Sequence, residues 1–268
     1  MISSTSNGRI RHLNELIAKR KVRDEESLFV CEGFRMFEEA PDNLITEVYI
    51  EDKTYDEMEE SFKKTPSNRL GRAFLKVRTL EDNDVAVEKV TDNVLKKISE
   101  TKTPQGLVFV LKKPHYGIED LSGGNMLILE NIQDPGNMGT MLRTAEGAGV
   151  SGVLMSKGTV DIFNPKTIRS TMGSLFRVPF LYTDDLEGSI EHLKKDGVRV
   201  YAASLQGTKF YDEIAYEGRN AFMIGNEGNG LSDEAVMMAD ELIKIPMEGK
   251  LESLNAAVSA AILLYNAR

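Results

Sequence analysis

The chain has 268 residues, 41% hydrophobic and 28% charged, the composition of a soluble globular protein with one large or two modest domains. Its net charge of -9 argues against a phosphate-rich partner, and the single cysteine, Cys31, excludes an internal disulfide. No Cys/His cluster has metal-ligand spacing, no apolar run nears the roughly 20 residues that span a bilayer, and Met1 to Arg9 lacks a secretory core, so a metal-free cytoplasmic protein is expected.

In chain order, Ile10, Leu13, Leu16 and Ile17 have helical spacing; residues 27–31 and 47–50 read as strands, and 33–40 as a helix. Net charge misleads where cations are segregated. Arg9, Arg11, Lys19, Arg20, Lys21 and Arg23 stand against the single acid Glu15 in their stretch, either a solvated helix face or an anion-binding patch. Residues 63–71 form a turn-rich loop, 107–111 a further strand, and the Pro and Gly punctuation after Lys112 marks a linker. The expected organisation is a first domain at 1–112, a linker at 113–125 and a second domain at 126–268.

Beyond the linker the pattern is a regular alternation. Residues 126–130, 152–156, 198–204, 221–225 and 242–245 read as strands buried on both faces, and 137–147, 166–172, 190–195 and 233–239 as helices. This predicts an α/β fold with a parallel sheet, which binds ligands at the carboxyl ends of its strands. A second basic set, Lys157, Lys166, Arg169 and Arg177, falls in this half.

Three loops then stand out. After residue 130, Asp134-Pro-Gly makes a turn, Asn137 reads as a helix N-cap, and Met138, Met141, Leu142 and Ala145 form a buried stripe that leaves Arg143 outside. In Gly225-Asn-Glu-Gly-Asn-Gly, glycines surround one carboxylate, Glu227. They permit positive φ and approach of a ligand to bare amides, and Glu227 is either functional or a cap on the following helix. The loop is neither a Walker nor a dinucleotide-binding turn. Finally Ile245-Pro-Met-x-Gly precedes a helix start at Ser253-Leu-Asn255, where Ser253 and Asn255 can cap. The next residues, Ala256, Ala257, Ser259, Ala260 and Ala261, are so small that something must approach this helix closely.

These three segments, in this order and spacing, resemble the three motifs of the SpoU (TrmH-type) family of RNA 2'-O-ribose methyltransferases, within the SPOUT superfamily. Phe29-Val-Cys-Glu-Gly and Thr103-Pro-Gln-Gly-Leu-Val resemble that family's ribosomal-protein-like substrate-binding domain. The resemblance implies a trefoil-knotted second domain that binds S-adenosylmethionine and works as a homodimer, the small-residue helix being threaded through a loop. It implies cofactor binding at Ser204, Leu205, Gly225, Ile245, Met247 and Leu254, and catalysis by Asn137, Arg143, Glu227, Ser253 and Asn255. Arg143 is either the proton acceptor or a clamp on the RNA phosphate, since a guanidinium with a pKa above about 12 is a poor base. RNA contacts are expected from the first basic set and from Lys166 and Arg169. Ribosomal RNA, 23S in particular, is the expected substrate; transfer RNA, an antibiotic-resistance methylase, a non-catalytic RNA-binding factor and a small-molecule methyltransferase are the alternatives.

Overall fold

Helix α1 (Gly8–Ala18) buries Ile10, Leu13, Leu16 and Ile17, the four residues whose spacing announces it, and the Asn7 side chain caps it by accepting from the Arg9 amide. Helix α2 (Arg20–Glu26) follows after one residue. In the computed structural model, which describes residues 1–268, Arg23 is buried. Its guanidinium donates to the Leu16 and Ile17 carbonyl oxygens at 2.6 and 2.9 Å, satisfying groups that a helix end leaves without partners.

That corrects the expected RNA role of Arg23: a side chain closing off a helix inside the protein does not reach a phosphate. Arg23→Met is therefore expected to lower stability by about 1–3 kcal/mol, because two buried carbonyls lose a charged donor. Chemical denaturation checks this. Four other cations of the set face acids: Arg9 pairs with Glu88, Lys19 with Glu15, Arg20 with Asp24 and Lys21 with Glu25. Three of those four acids lie outside the stretch from which the cluster was read; Arg11 makes no ion pair of its own, although its charge acts on Glu15.

The remaining elements of this unit are β1 (Leu28–Glu32), α3 (Phe34–Glu39), β2 (Ile45–Glu51), α4 (Asp52–Lys64), α5 (Arg69–Asp82), β3 (Ala86–Val90), α6 (Asp92–Ile98) and β4 (Leu107–Lys112). The strands form a sheet in the order β1-β4-β2-β3, with β4 antiparallel to both neighbours and β2 parallel to β3. The sequence does not announce α4, whose 13 residues bury only Thr54 and Met58. An apolar stripe that thin leaves no periodicity to read.

The second unit begins at His115 rather than beyond the expected linker, and residues 163–176 group with the first unit. Leu121 is fully buried and packs in the second unit's core with Met126, Ile128 and Leu154, so Pro and Gly punctuation here marks tight turns. The elements are β5 (Met126–Leu129), α7 (Pro135–Ala148), β6 (Gly152–Ser156), α8 (Pro165–Thr171, in the first unit), β7 (Phe180–Thr183), α9 (Leu186–Lys195), β8 (Val198–Ala203), β9 (Lys209–Phe210), β10 (Arg219–Ile224), α10 (Asp233–Met238), β11 (Glu241–Lys244) and α11 (Ala256–Asn266).

All seven strands of the second unit are parallel, in the order β7-β6-β5-β10-β8-β11-β9. The α/β reading of this half holds. Chain order climbs outward from β5 through β6 to β7, crosses to β8 on the other side and later sets β10 beside β5, so a topological switch lies between β5 and β10, where such sheets open a crevice. Helix α11 packs on α7 and β10. Its buried positions are Ala257, Ala260, Leu263 and Leu264, and a Cβ on Gly147 of α7 would lie 2.8 Å from the Tyr265 hydroxyl. Small residues on α11 thus answer to a helix pressed against it. No helix is long and apolar enough to cross a membrane.

Candidate active site

Two loops leave the sheet at the switch, one after β5 and one after β10, and they are joined through a single carboxylate. Glu227 Oε2 accepts from the Gln133 amide and Oε1 from the Asp134 amide, each at 3.0 Å. The Asn137 side-chain amide donates to Oε1, also at 3.0 Å. Asn137 Oδ1 in turn accepts from Asn255 Nδ2 at 3.0 Å. A relay Asn255 to Asn137 to Glu227 therefore links the three sequence segments, which are 90 and 118 residues apart.

The amide orientations in this relay are forced. An ionised Glu227 only accepts, so Asn137 must turn its NH2 to it and its oxygen to Asn255. The Asn255 oxygen is independently held at the start of α11, accepting from the Ala257 and Val258 amides at 2.9 and 3.3 Å. Asn255 is the N-cap of α11, and Ser253, expected to share that role, makes no capping bond.

At α7 the cap is Asp134 rather than Asn137. Pro135 occupies the first helical position, where its missing N–H costs nothing, and Asp134 Oδ1 accepts from the Asn137 amide at 2.8 Å. This frees the Asn137 side chain for the relay. Likewise Glu227 does not cap α10: Ser232 does, and it is held by Glu130, whose carboxylate accepts from the Ser232 amide and hydroxyl at 2.8 and 2.7 Å.

Partial burial of Glu227 pushes its carboxyl pKa up, but the hydrogen bonds from Asn137 and from the Gln133 and Asp134 amides together outweigh this and hold it below its ordinary value. The sign for stability follows. A depressed carboxylate contributes stability that is complete above the ordinary value and disappears as pH falls through the folded-state value. The parent protein is expected to lose more stability on acidification below about pH 4.5 than a Glu227→Gln variant does, and denaturant midpoints across that range measure the difference.

Residues that sequence reasoning missed hold the loops in place. Asn131 sits at φ 54°, a left-handed conformation that asparagine tolerates, with its amide bonded to Ser156 Oγ at 2.9 Å. Its carbonyl oxygen accepts from Gln133 Nε2 at 3.0 Å and from Asn226 Nδ2 at 2.8 Å. The only sequence signal was an asparagine directly after a strand. Of the glycines in the second loop, Gly230 takes the expected positive φ, at 72°, while Gly225 has a different reason. A Cβ on Gly225 would lie 2.2 Å from the backbone of Gly230 and Leu231, and Asn226 and Gly230 exchange two backbone hydrogen bonds of 2.9 Å. The loop folds onto itself, and that closure excludes a side chain at Gly225.

Beside this relay, a cavity of about 370 Å³ opens at the carboxyl ends of β8, β10 and β11, within the ~300–1,000 Å³ typical of small-molecule sites. Ser204, Leu205, Gly225, Ile245, Met247 and Leu254 all line it, as do Glu227 and Ser253. The lining joins strand-end backbone to the apolar side chains of Leu205, Ile245, Met247 and Leu254. Such a surface suits a small molecule with an apolar part, and the Glu227 carboxylate is among its lining groups.

Arg143 is exposed on α7 and makes no hydrogen bond or ion pair within the chain. Six residues beyond Asn137, it lies about 9 Å along the helix axis and roughly 240° around it. The structure thus brings Asn137, Glu227 and Asn255 into contact, sets Ser253 on the cavity wall without a bond, and leaves Arg143 on another face of α7. The three histidines do not enter this site. Lys166 and Arg169 lie on α8 and make no ion pair.

A parallel sheet with its cavity at the strand ends and a polar relay across three loops define a small-molecule site of the kind such sheets carry. Comparison with known proteins specifies it. Residues 124–265 match the SpoU rRNA Methylase family and residues 7–108 the MRM3-like substrate binding domain. A Bacillus subtilis (strain 168) protein named 23S rRNA (guanosine(2553)-2'-O)-methyltransferase RlmP is 32% identical, the match covering 100% of this chain and 98% of that one. An rRNA methyltransferase structure from Sinorhizobium meliloti has TM-score 0.84 at 28% identity, covering 100% and 96%. Its AdoMet-bound form has TM-score 0.83 at 27% identity, with the same coverage. The chain belongs to the SpoU rRNA methylase family.

Proposed function

We propose that the protein transfers a methyl group from S-adenosylmethionine to the 2'-hydroxyl of one nucleotide in ribosomal RNA, and that this RNA is 23S. The observation that carries the reading is the hydrogen-bonded relay Asn255–Asn137–Glu227 at the mouth of the strand-end cavity. Family membership and the name of the Bacillus subtilis relative support the choice of RNA. When bound, the cofactor supplies an electrophilic methyl carbon on a positively charged sulfur. With it bound, the ribose oxygen would bond to that carbon as the carbon–sulfur bond breaks, the electron pair would stay on sulfur, and the hydroxyl proton would pass to solvent water.

A good leaving group reduces the protein's task to alignment and proton removal. Ser204, Leu205, Gly225, Ile245, Met247 and Leu254 hold the donor, with the strand-end backbone fixing its orientation. Glu227 braces the loops after β5 and β10 so that Asn137 and Asn255 present fixed polar groups at the cavity mouth. Ser253 lies on the cavity wall and orients the reacting groups from there. Arg143, exposed and unpartnered, suits a clamp on the phosphate beside the target ribose.

The homodimer belongs to the same reading. Val258 and Tyr265 of α11 are exposed, an apolar and an aromatic group on a helix that buries only one of its faces. Light scattering that returned the mass of a single chain at micromolar concentration would remove this part of the proposal. The central test is a map of 2'-O-methylation across total RNA from cells with and without the gene, joined to transfer of labelled methyl from S-adenosylmethionine by the purified protein. The expected result is one 23S position lost in the cells and restored by the protein. An unchanged map would overturn the reading.

A further inference from the structure

The cations of the first unit divide into those that face carboxylates and those that do not, and the second group is not where the sequence clusters its positive charge. Lys53, Lys63, Lys64, Arg69, Arg72, Lys76, Arg78, Lys89 and Lys96 all pair with acids, as does most of the α1–α2 run. Besides Arg11 and Lys112, five cations pair with none, Arg35, Lys97, Lys102, Lys166 and Arg169, in a protein of net charge -9.

These five belong to four separate segments, and the fold gathers those segments at one end of the four-stranded sheet. There β1 ends at Glu32 and β4 begins at Leu107. Glu32 Oε1 accepts from the Ser99 and Thr101 hydroxyls at 2.6 and 2.7 Å, and Oε2 from the Glu100 amide at 3.3 Å. The carboxylate is thereby spent on anchoring the 99–101 segment, which leads directly to Lys102. Lys97 stands in the last turn of α6, just before this segment.

On the other side of Glu32, Gly33 has φ +93° and a Cβ there would lie 2.6 Å from Gln105 Oε1, so the Glu-Gly and Gln-Gly segments are packed together, with Arg35 in the first turn of α3. A recess lined by Glu32, Ile98, Glu100 and Arg169 adds α8, which also carries exposed Lys166. Of the two acids in that lining, Glu32 is consumed by hydroxyl and amide donors, which leaves the Glu100 carboxylate against cations that remain available to solvent.

We infer that this sheet end, with Arg35, Lys97, Lys102, Lys166 and Arg169, is the surface on which the first unit holds the phosphodiester backbone of its RNA, in place of the basic α1–α2 run. A phosphate approaching α1–α2 meets carboxylates of its own sign beside nearly every cation; at the sheet end it meets cations whose field is largely uncancelled. Four segments brought together can also follow a folded backbone, which a single helix face cannot.

The inference rests on the RNA-methyltransferase reading, and the test separates the two. In vitro transcribed 23S ribosomal RNA is the probe, with filter binding over a range of salt and methyl transfer measured in parallel. One variant carries Arg35→Gln, Lys102→Gln, Lys166→Gln and Arg169→Gln; a second of equal charge carries Arg11→Gln, Lys19→Gln, Arg20→Gln and Lys21→Gln. Titration with S-adenosylmethionine and thermal denaturation show that both remain folded.

The sheet-end variant is expected to bind about tenfold or more weakly, with the slope of log affinity against log salt reduced by about one for each phosphate no longer neutralised. The α1–α2 variant is expected to stay within about twofold of the parent with the slope kept. Loss confined to the α1–α2 variant, equal loss in both, or parent-like binding by the sheet-end variant overturns the inference. Binding that depends on the sheet end without methyl transfer by the parent sinks the functional reading alone. A parent that does not bind the transcript at low salt overturns both.

Discussion

Replacing Asn255 with aspartate should leave the protein folded and abolish most of its methyl transfer. Asparagine and aspartate cap helices about equally well, and a negative charge at a helix N-terminus adds about 0.3–1 kcal/mol. The capping half of the side chain, the oxygen bound to the Ala257 and Val258 amides, is therefore preserved. The other half is reversed. Where Nδ2 donates to Asn137 Oδ1, aspartate places an acceptor opposite an acceptor.

Asn137 cannot relieve this by flipping, because its NH2 is committed to a carboxylate at Glu227 that accepts only. With the relay broken at one end, the groups that align the reaction lose their fixed orientation, and about 10²–10³ in kcat is the scale of removing one preorganised hydrogen bond. Asn255→Ala makes the contrast, since it loses both halves and is expected to cost about 0.5–2 kcal/mol of stability as well. Measured kcat and denaturant midpoints of the two variants separate the roles. An Asn255→Asp protein with parent activity would reduce this residue to a cap.

The second large effect is expected at Arg143. Because this side chain is exposed and bonds to nothing in the chain, Arg143→Ala should change stability by no more than about 0.5 kcal/mol and leave S-adenosylmethionine affinity as it is. Methyl transfer should fall about 10²–10³-fold. Arg143→Lys should recover only part of the loss, since an ammonium lacks the planar fork that grips two phosphate oxygens.

The pH profile decides what Arg143 does. For a phosphate clamp, the Ala variant is slower at every pH and its profile runs parallel to the parent's. For a proton acceptor, the alkaline rise of the parent is missing from the variant. Full activity in Arg143→Lys would count against both roles.

The site was legible in sequence to the extent that each of its parts follows from a local rule. Five of the seven strands in residues 126–268 announce themselves because both faces are covered, giving apolar runs such as β6, in which all five residues are buried; the edge strands β7 and β9, largely or wholly unburied, do not. The carboxyl ends of those strands mark the cavity, and all six residues expected to hold the cofactor line it. The choice of cap was less legible. Asp134 and Asn137 are both good capping residues, and only Pro135 at the first helical position separates them.

Charge was the least legible property, because what a cation does depends on where its acids lie, often far away in sequence. Glu88 neutralises Arg9 from 79 residues away, and the carbonyls of α1 take Arg23 out of solvent altogether. Conversely, Arg35, Lys97 and Lys102 formed no cluster along the chain and stand at one end of a sheet in the fold.

By itself, then, the sequence determined the period of each strongly apolar element, the parallel α/β class of the second unit and the three loops that carry its polar groups, because side-chain burial and strand-end loops are imposed by neighbours within a few residues. Only the tertiary structure decided that Glu227, Asn137 and Asn255 touch, that Gly225 is required by its own loop, that residues 163–176 group with the first unit, and which cations remain uncancelled. Hydrogen bonds and ion pairs act over about 3–4 Å regardless of separation along the chain, and no local pattern encodes a contact between residues 118 positions apart.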